Sequence, residues 1–174
     1  EAIATAQQCG AAGVQFDARN EVRPGDFGET ARRQLLYELR ERDLSVASLD
    51  FPLRSAIYDP DRLDDRIAAI RRTMEFAAHL KTGVVTVRTG PLPVDADSDD
   101  ATRLSTLLED LARYGNHIGA MLCLTAAGVD AELLAALVGT AVRHGPLGID
   151  FDPAAVLLAG RSPSADLRAL HDCV

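Results

Sequence analysis

Five short apolar runs, each followed by a stretch with helical spacing, constrain this chain more than any other feature. The runs are Gly13–Ala18 (GVQFDA), Leu44–Phe51 (LSVASLDF), Gly83–Gly90 (GVVTVRTG), Ala120–Ala127 (AMLCLTAA) and Leu147–Pro153 (LGIDFDP). Each reads as largely apolar on both faces, the pattern of strands buried in a parallel sheet. Between them, Leu63, Ile67, Ile70, Met74 and Ala77 step by four, three, four and three, which is one face of a helix. The same periodicity runs through Ala31, Leu35, Leu36 and Leu39, through Leu104, Leu107, Leu108, Leu111 and Ile118, and through Leu133, Leu134, Leu137, Val138 and Ala141.

Boundary signals agree with this reading. Asp59-Pro60 and Ser162-Pro163 each place a capping residue before a proline suited to the first helical position. Asp26 with Glu29 has the spacing of a capping box. Gly10, Gly83, Gly119 and Gly145 stand where helices should give way to strands. The N-terminus, Glu1-Ala2-Ile3-Ala4, reads as the middle of a helix, and Pro91–Asp100 as the most loop-like segment. Strand and helix therefore alternate along residues 1–174 as a single domain, and such alternation implies a parallel sheet with crossover helices.

Two architectures satisfy that alternation. A doubly wound dinucleotide fold wants a GxGxxG after its first strand, and none is present. Gly10-Ala11-Ala12-Gly13 precedes its strand, so it is a turn and not a phosphate cradle. The other architecture is a closed (β/α) barrel of the TIM type, which uses eight units and roughly 250 residues. The 174 residues carry about five of the eight units. One first strand and two last strands are then expected outside this stretch. A barrel opened in this way exposes strand edges and its inner face, so the chain by itself is expected to form a homodimer or to be unstable.

Composition excludes some classes. The formal charge is −8, from 26 acidic and 18 basic residues, which disfavours nucleic acid as a partner. No apolar run approaches the ~20 residues of a membrane span. Cys9, Cys123 and Cys173 are odd in number and lack CxxC spacing, so a reduced, cytoplasmic setting is expected.

Four segments carry a family resemblance: Phe51-Pro52-Leu53-Arg54, Asp61-Arg62-Leu63-Asp64-Asp65-Arg66-Ile67, Leu111 to Gly115 (LARYG) and Gly148 to Pro153 (GIDFDP). They resemble the sugar phosphate isomerase/epimerase family of xylose-isomerase-like TIM barrels. The resemblance implies an active site at the C-terminal ends of the strands and a small-molecule carbohydrate substrate. It implies proton transfer beside a carbonyl, assisted by a divalent metal (manganese, magnesium or zinc). It also implies a ligand set of Glu, Asp, His and Glu from the fifth to the eighth barrel strands. On this chain the Asp falls on Asp152, the one ligand that carries over, which also makes it the candidate catalytic residue. Thr125 stands where the fifth-strand Glu is expected, and Ala155 where a His often follows the Asp. A catalytically inactive barrel relative, serving as a binding or scaffold protein, is the alternative those departures suggest.

Independently of the resemblance, Arg19, Arg54 and Arg88 follow the ends of three successive runs and could hold an anionic substrate group. Asp17 and Asp50 lie at strand ends and are expected to pair with a neighbouring arginine, and Asp17 joins the three arginines as a candidate substrate-binding residue. Alternation would put Asp150 on the same face as Asp152, and Asp152-Pro153 also reads as a turn and helix cap. His79, His117, His144 and His171 form no ligand pattern and read as structural or exposed, and Cys123 reads as a small apolar core residue.

Overall fold

A computed structural model describes residues 2–125 and 129–173. Among these residues five strands form one sheet: β1 (Gly13–Asp17), β2 (Ser45–Asp50), β3 (Val84–Arg88), β4 (Met121–Thr125) and β5 (Leu147–Asp150). Every neighbouring pair is parallel, and the strand order is β1-β2-β3-β4-β5. Strands added in sequence order, with no reversal, are the mark of a barrel wall, so the doubly wound alternative is excluded. The expected end of the fourth run, Ala126–Ala127, lies outside the described residues.

Among the described residues seven α-helices accompany the strands: α1 (Ala2–Gln8), α2 (Glu29–Arg40), α3 (Leu63–His79), α4 (Asp99–Ile118), α5 (Ala131–Ala141), α6 (Pro153–Leu158) and α7 (Pro163–Leu170). The helical faces seen in the sequence are the buried ones. Ile70, Met74 and Ala77 of α3 and Leu108 and Leu111 of α4 are fully enclosed. They meet Leu49, Val85, Val87, Leu122 and Leu124, which project from one face of the sheet and are equally enclosed. The core is thus a single layer between that sheet face and the helices.

The other face corrects the expectation that the strands are apolar on both sides. Alternation places Gln15, Asp17, Ser48, Asp50, Thr86, Arg88, Cys123, Thr125, Gly148 and Asp150 opposite the core side chains. In a barrel this is the face that turns inward, so the apolar residues of each run serve only the outer layer.

Several boundaries also differ from expectation. Asp59 does not cap α3: its Oδ1 accepts the Asp61 N–H, and Arg62 (φ 52°) takes the left-handed conformation before the helix opens at Leu63. Asp26 and Glu29 form no capping box. Gly28 occupies the cap position of α2, and Asp26 belongs to a short 3-10 turn, Pro24–Asp26. α4 begins inside the expected loop, at Asp99, because the Ser98 hydroxyl accepts the Ala101 N–H. Gly119 closes α4 in the left-handed conformation (φ 73°) as its position suggested. Gly145 has a different reason to be glycine, since a Cβ there would lie 2.1 Å from the Ala112 carbonyl oxygen.

After α7 the chain returns to the sheet. The Ile149 N–H of β5 donates to the Cys173 carbonyl at 2.8 Å, on the edge where a barrel adds its next strand. Asp166 anchors this return: it is 8% exposed and accepts from Arg161 at 3.0 Å, while Arg161 also donates to the Val129 carbonyl.

Candidate active site at the strand ends

The inward-facing side chains at the C-terminal ends of the strands form a polar row. Register sets it: Asp17 is level with Asp50, Asp50 with Thr86, Arg88 with Thr125, and Thr125 with Asp150. The row begins with Gln15, whose Nε2 donates to Ser48 Oγ at 2.8 Å and to Thr86 Oγ1 at 3.3 Å. The Thr86 hydroxyl in turn donates a hydrogen bond to Asp50 Oδ1 at 2.9 Å. At the far end Thr125 Oγ1 donates to Asp150 Oδ2 at 2.8 Å. Arg88 lies between the two carboxylates, exposed, with no hydrogen bond or ion pair to any described residue.

The two aspartates at the start of the row are tuned in opposite directions. Burial pushes the Asp50 carboxyl above its ordinary value, and the charges of Asp17 and Asp150 push the same way, against the Thr86 hydrogen bond and the Arg88 charge. Burial also acts upward on Asp17, but hydrogen bonds outweigh it and leave that carboxyl below its ordinary value. Asp17 Oδ1 accepts the N–H groups of Arg19 and Asn20, and Oδ2 accepts the Asn20 side chain at 2.7 Å. The expected pairing of Asp17 and Asp50 with arginines takes the form of charge attraction, from Arg19 on Asp17 and from Arg88 on Asp50, and not of contact ion pairs. Neither makes an ion pair among the described residues, because backbone and hydroxyl donors reach their carboxylates first. Cys123, on the same face, is buried, and its thiol is pushed up to about 11 by burial and by the Asp150 charge.

The remaining candidates fall outside the row. Asp152 stands beyond β5, and its Oδ1 accepts the N–H groups of Ala154 and Ala155, each at 3.0 Å, capping α6. The cap reading thus holds for this residue, and Asp150, not Asp152, shares the row with Thr125. Arg19 donates to the Pro52 carbonyl at 2.9 Å and lies over the Phe51 ring, 5.5 Å from its centroid. Arg54 lines a cleft against α3, together with Arg19, and no residue of the row lines that cleft. The structure therefore separates Arg88 from Arg19 and Arg54. The histidines lie on the helix layer: His79 contacts Arg32 Nη1 at 2.9 Å, and His144 lies 3.7 Å from Glu109.

The sequence reading missed Asp50 and Asp150 as members of one row. Strict alternation within SVASLD and LGID was the available signal. The residues present do not fit a divalent metal. Among the described residues no group of three or more His, Cys, Asp or Glu side chains could hold one. Thr125 offers a hydroxyl already engaged by Asp150, Ala155 offers no ligand, and one oxygen of Asp152 is committed to the helix cap.

A sheet built in barrel order with a polar inner row defines the class, and comparison with known proteins gives the family. The sequence model of the xylose isomerase-like TIM barrel matches residues 3–173, so the chain belongs to that family. A search of curated proteins finds no match. Solved structures match closely in fold. A xylose isomerase domain protein from Planctomyces limnophilus superposes with a TM-score of 0.87 at 19% identity, over 99% of this chain and 66% of that one. The 3-keto-D-glucoside 4-epimerase from E. coli, in its apo form, gives 0.76 at 14% identity, over 99% and 70%. A xylose isomerase-like TIM barrel protein from Mycobacterium smegmatis, in complex with magnesium, gives 0.75 at 14%, over 99% and 62%. The chain thus spans about two thirds of the length of the structures it matches. Among the described residues, no helix is long and apolar enough to cross a membrane.

Proposed function

We propose that this chain supplies the substrate-facing wall of an isomerase or epimerase acting on a carbohydrate or a sugar-derived acid, by proton transfer beside a carbonyl. The observation that carries this reading is the row Asp50–Thr86 and Arg88–Thr125–Asp150 at the C-terminal ends of parallel strands, where barrel enzymes do their chemistry. Arg88, exposed and without a hydrogen bond or ion pair among the described residues, is the residue that orients a substrate oxygen or anionic group. Asp50 is the proton carrier of the row, since burial moves its carboxyl toward the range in which a general acid or base works near neutrality. Asp152 keeps one carboxylate oxygen free of the helix cap, and this is the acceptor the chain offers to a substrate hydroxyl in a complete barrel. Arg19 and Asp17 brace the surrounding loops. With Cys9 exposed and all three cysteines free, the setting that suits the protein is reducing and cytoplasmic.

A second reading, an inactive barrel relative that binds without turnover, is favoured by the Thr125–Asp150 hydrogen bond, which ties up the position where a ligand Glu is expected. One experiment separates the two. The protein in the context of its complete barrel is incubated with a panel of ketoses, aldoses and sugar acids in deuterated water, and carbon-bound deuterium is followed by NMR. The enzyme reading expects incorporation beside the carbonyl, reduced about 10²-fold or more in Asp50→Asn. Saturable sugar binding without any incorporation would establish the binding protein instead.

A further inference from the structure

We propose that the cleft between the loop after β2 and the first half of α3 is a second ligand site, which holds an anionic oxygen group, a phosphate or a carboxylate, of a small molecule. It lies apart from the strand-end row and does not depend on the isomerase reading.

The cleft measures about 550 Å³, within the size range of small-molecule sites. Five guanidinium groups line it, from Arg19, Arg54, Arg62, Arg66 and Arg72, against two carboxylates, Asp61 and Asp65. This is a local excess of positive charge on a chain whose net charge is −8. Three separate segments bring the arginines together: the loop after β1, the loop after β2, and α3. Like charges gathered in a concave site repel one another, and an anion placed among them relieves that repulsion.

The five arginines do not play the same part. Arg66 is scaffold: it donates to the Asp59 carbonyl at 2.6 Å, the Asp61 carbonyl at 2.8 Å and Ser55 Oγ at 2.9 Å, which fixes the loop against the helix. Arg62 is held by Asp65 at 3.1 Å. Arg19 is held by the Pro52 carbonyl and the Phe51 ring. Arg54 and Arg72 make no hydrogen bond or ion pair with any described residue, and both are exposed. Asp65, Ala68, Ala69 and Arg72 share one face of α3, so two alanines form a low floor between the charged groups. Arg66, Arg62 and Arg19 are thus fixed in advance, and only the Arg54 and Arg72 side chains remain to be ordered on binding. The two free guanidinium forks have the geometry that matches phosphate or carboxylate oxygens in pairs.

Isothermal titration of the full chain at low ionic strength, with inorganic phosphate and separately with malonate, tests this site. Saturable binding is expected with at least one of the two anions. Arg54→Gln/Arg72→Gln should weaken it at least tenfold, and Lys81→Gln/Arg143→Gln, which removes two exposed cations elsewhere, should leave it within twofold. Because Arg54 and Arg72 bond to no described residue, their replacement should not shift the thermal midpoint. Should the double variant nevertheless unfold, each single variant is expected to show a severalfold loss. Equal weakening in both double variants would show an effect of net charge alone. Equal binding in all variants would mark an adventitious ion only. Either result, or no saturable binding of either anion, overturns the proposal. Glucose 6-phosphate against glucose then distinguishes the source: tighter binding than inorganic phosphate shows that the cleft also contacts the organic part, and equal binding shows that it holds the anion alone.

Discussion

The two faces of the sheet use the same five strands and follow different rules. On the outer face Leu49, Val85, Val87, Leu122 and Leu124 are fully enclosed by helices. On the inner face Asp50, Arg88, Thr125 and Asp150 remain partly or fully exposed and are joined by a few hydrogen bonds. The difference teaches that cohesion and chemistry are separated by a single residue of register. A side chain one position along a strand changes from filling the core to facing the candidate site. Substitutions at adjacent positions should therefore have effects of very different size.

The largest effect is expected on the outer face. Leu124→Ala deletes a side chain with 0% exposure, and such truncations cost about 2–5 kcal/mol. Urea unfolding of the variant should show it as a lower midpoint at unchanged slope. Next comes Gly145→Ala. Its Cβ would sit 2.1 Å from the Ala112 carbonyl oxygen, which is backbone and cannot swing away. The chain must shift, at a cost of about 1–3 kcal/mol. The same unfolding measurement checks it, with Gly25→Ala as the control because nothing lies within 4 Å of a Cβ there. On the inner face, Thr125→Val removes the hydroxyl that donates to Asp150. Because Asp150 is only partly buried and can take up water, the expected loss is smaller, about 0.5–1 kcal/mol. A loss from Thr125→Val as large as that from Leu124→Ala would break the two-face description.

How far the sequence showed these rules follows from the same contrast. Helical faces such as Ile70, Met74 and Ala77 were legible because a period of 3.6 residues needs no knowledge of neighbours. The barrel order was legible from alternating strands and helices without a dinucleotide loop. The polar inner face was not, because runs such as GVVTVRTG are dominated by valines, and Thr86 reads as a tolerated β-branched residue until its hydrogen bond to Asp50 is seen. Caps were partly legible. Ser162-Pro163 opens α7, but the Asp26 and Glu29 spacing matched a capping box while Gly28 held the position. Asp152 was legible as a cap, and that Asp150 would be the partner of Thr125 was not, since it depends on the register of β4 against β5. The arginine cleft was only partly visible, since Arg66 and Arg72 lie on one helix while Arg62, Arg54 and Arg19 come from loops whose course depends on the folded core.

The smallest effect is the most specific to the inner face. Asp17 and Asp50 are register partners, and their carboxyls shift in opposite directions. A carboxyl lowered on folding, as in Asp17, contributes stability above its ordinary value near 3.8 and loses it as pH falls through its folded value. A carboxyl raised on folding, as in Asp50, binds its proton more tightly in the folded chain. Its contribution is complete below 3.8 and is lost as pH rises through its raised value. Asp50→Asn removes that loss together with the repulsion from Asp17 and Asp150. Relative to the parent chain, the variant should gain stability as pH rises from 3.8 into the neutral range and gain nothing at more acid pH. Asp17→Asn should do the reverse, losing stability above 3.8 and little below it. Thermal midpoints of the three proteins between pH 3 and 7 read both signs at once. Parallel curves for the two variants would show that the aspartates do not differ in environment, and the assignment of Asp50 as the proton carrier of the row would fall with them.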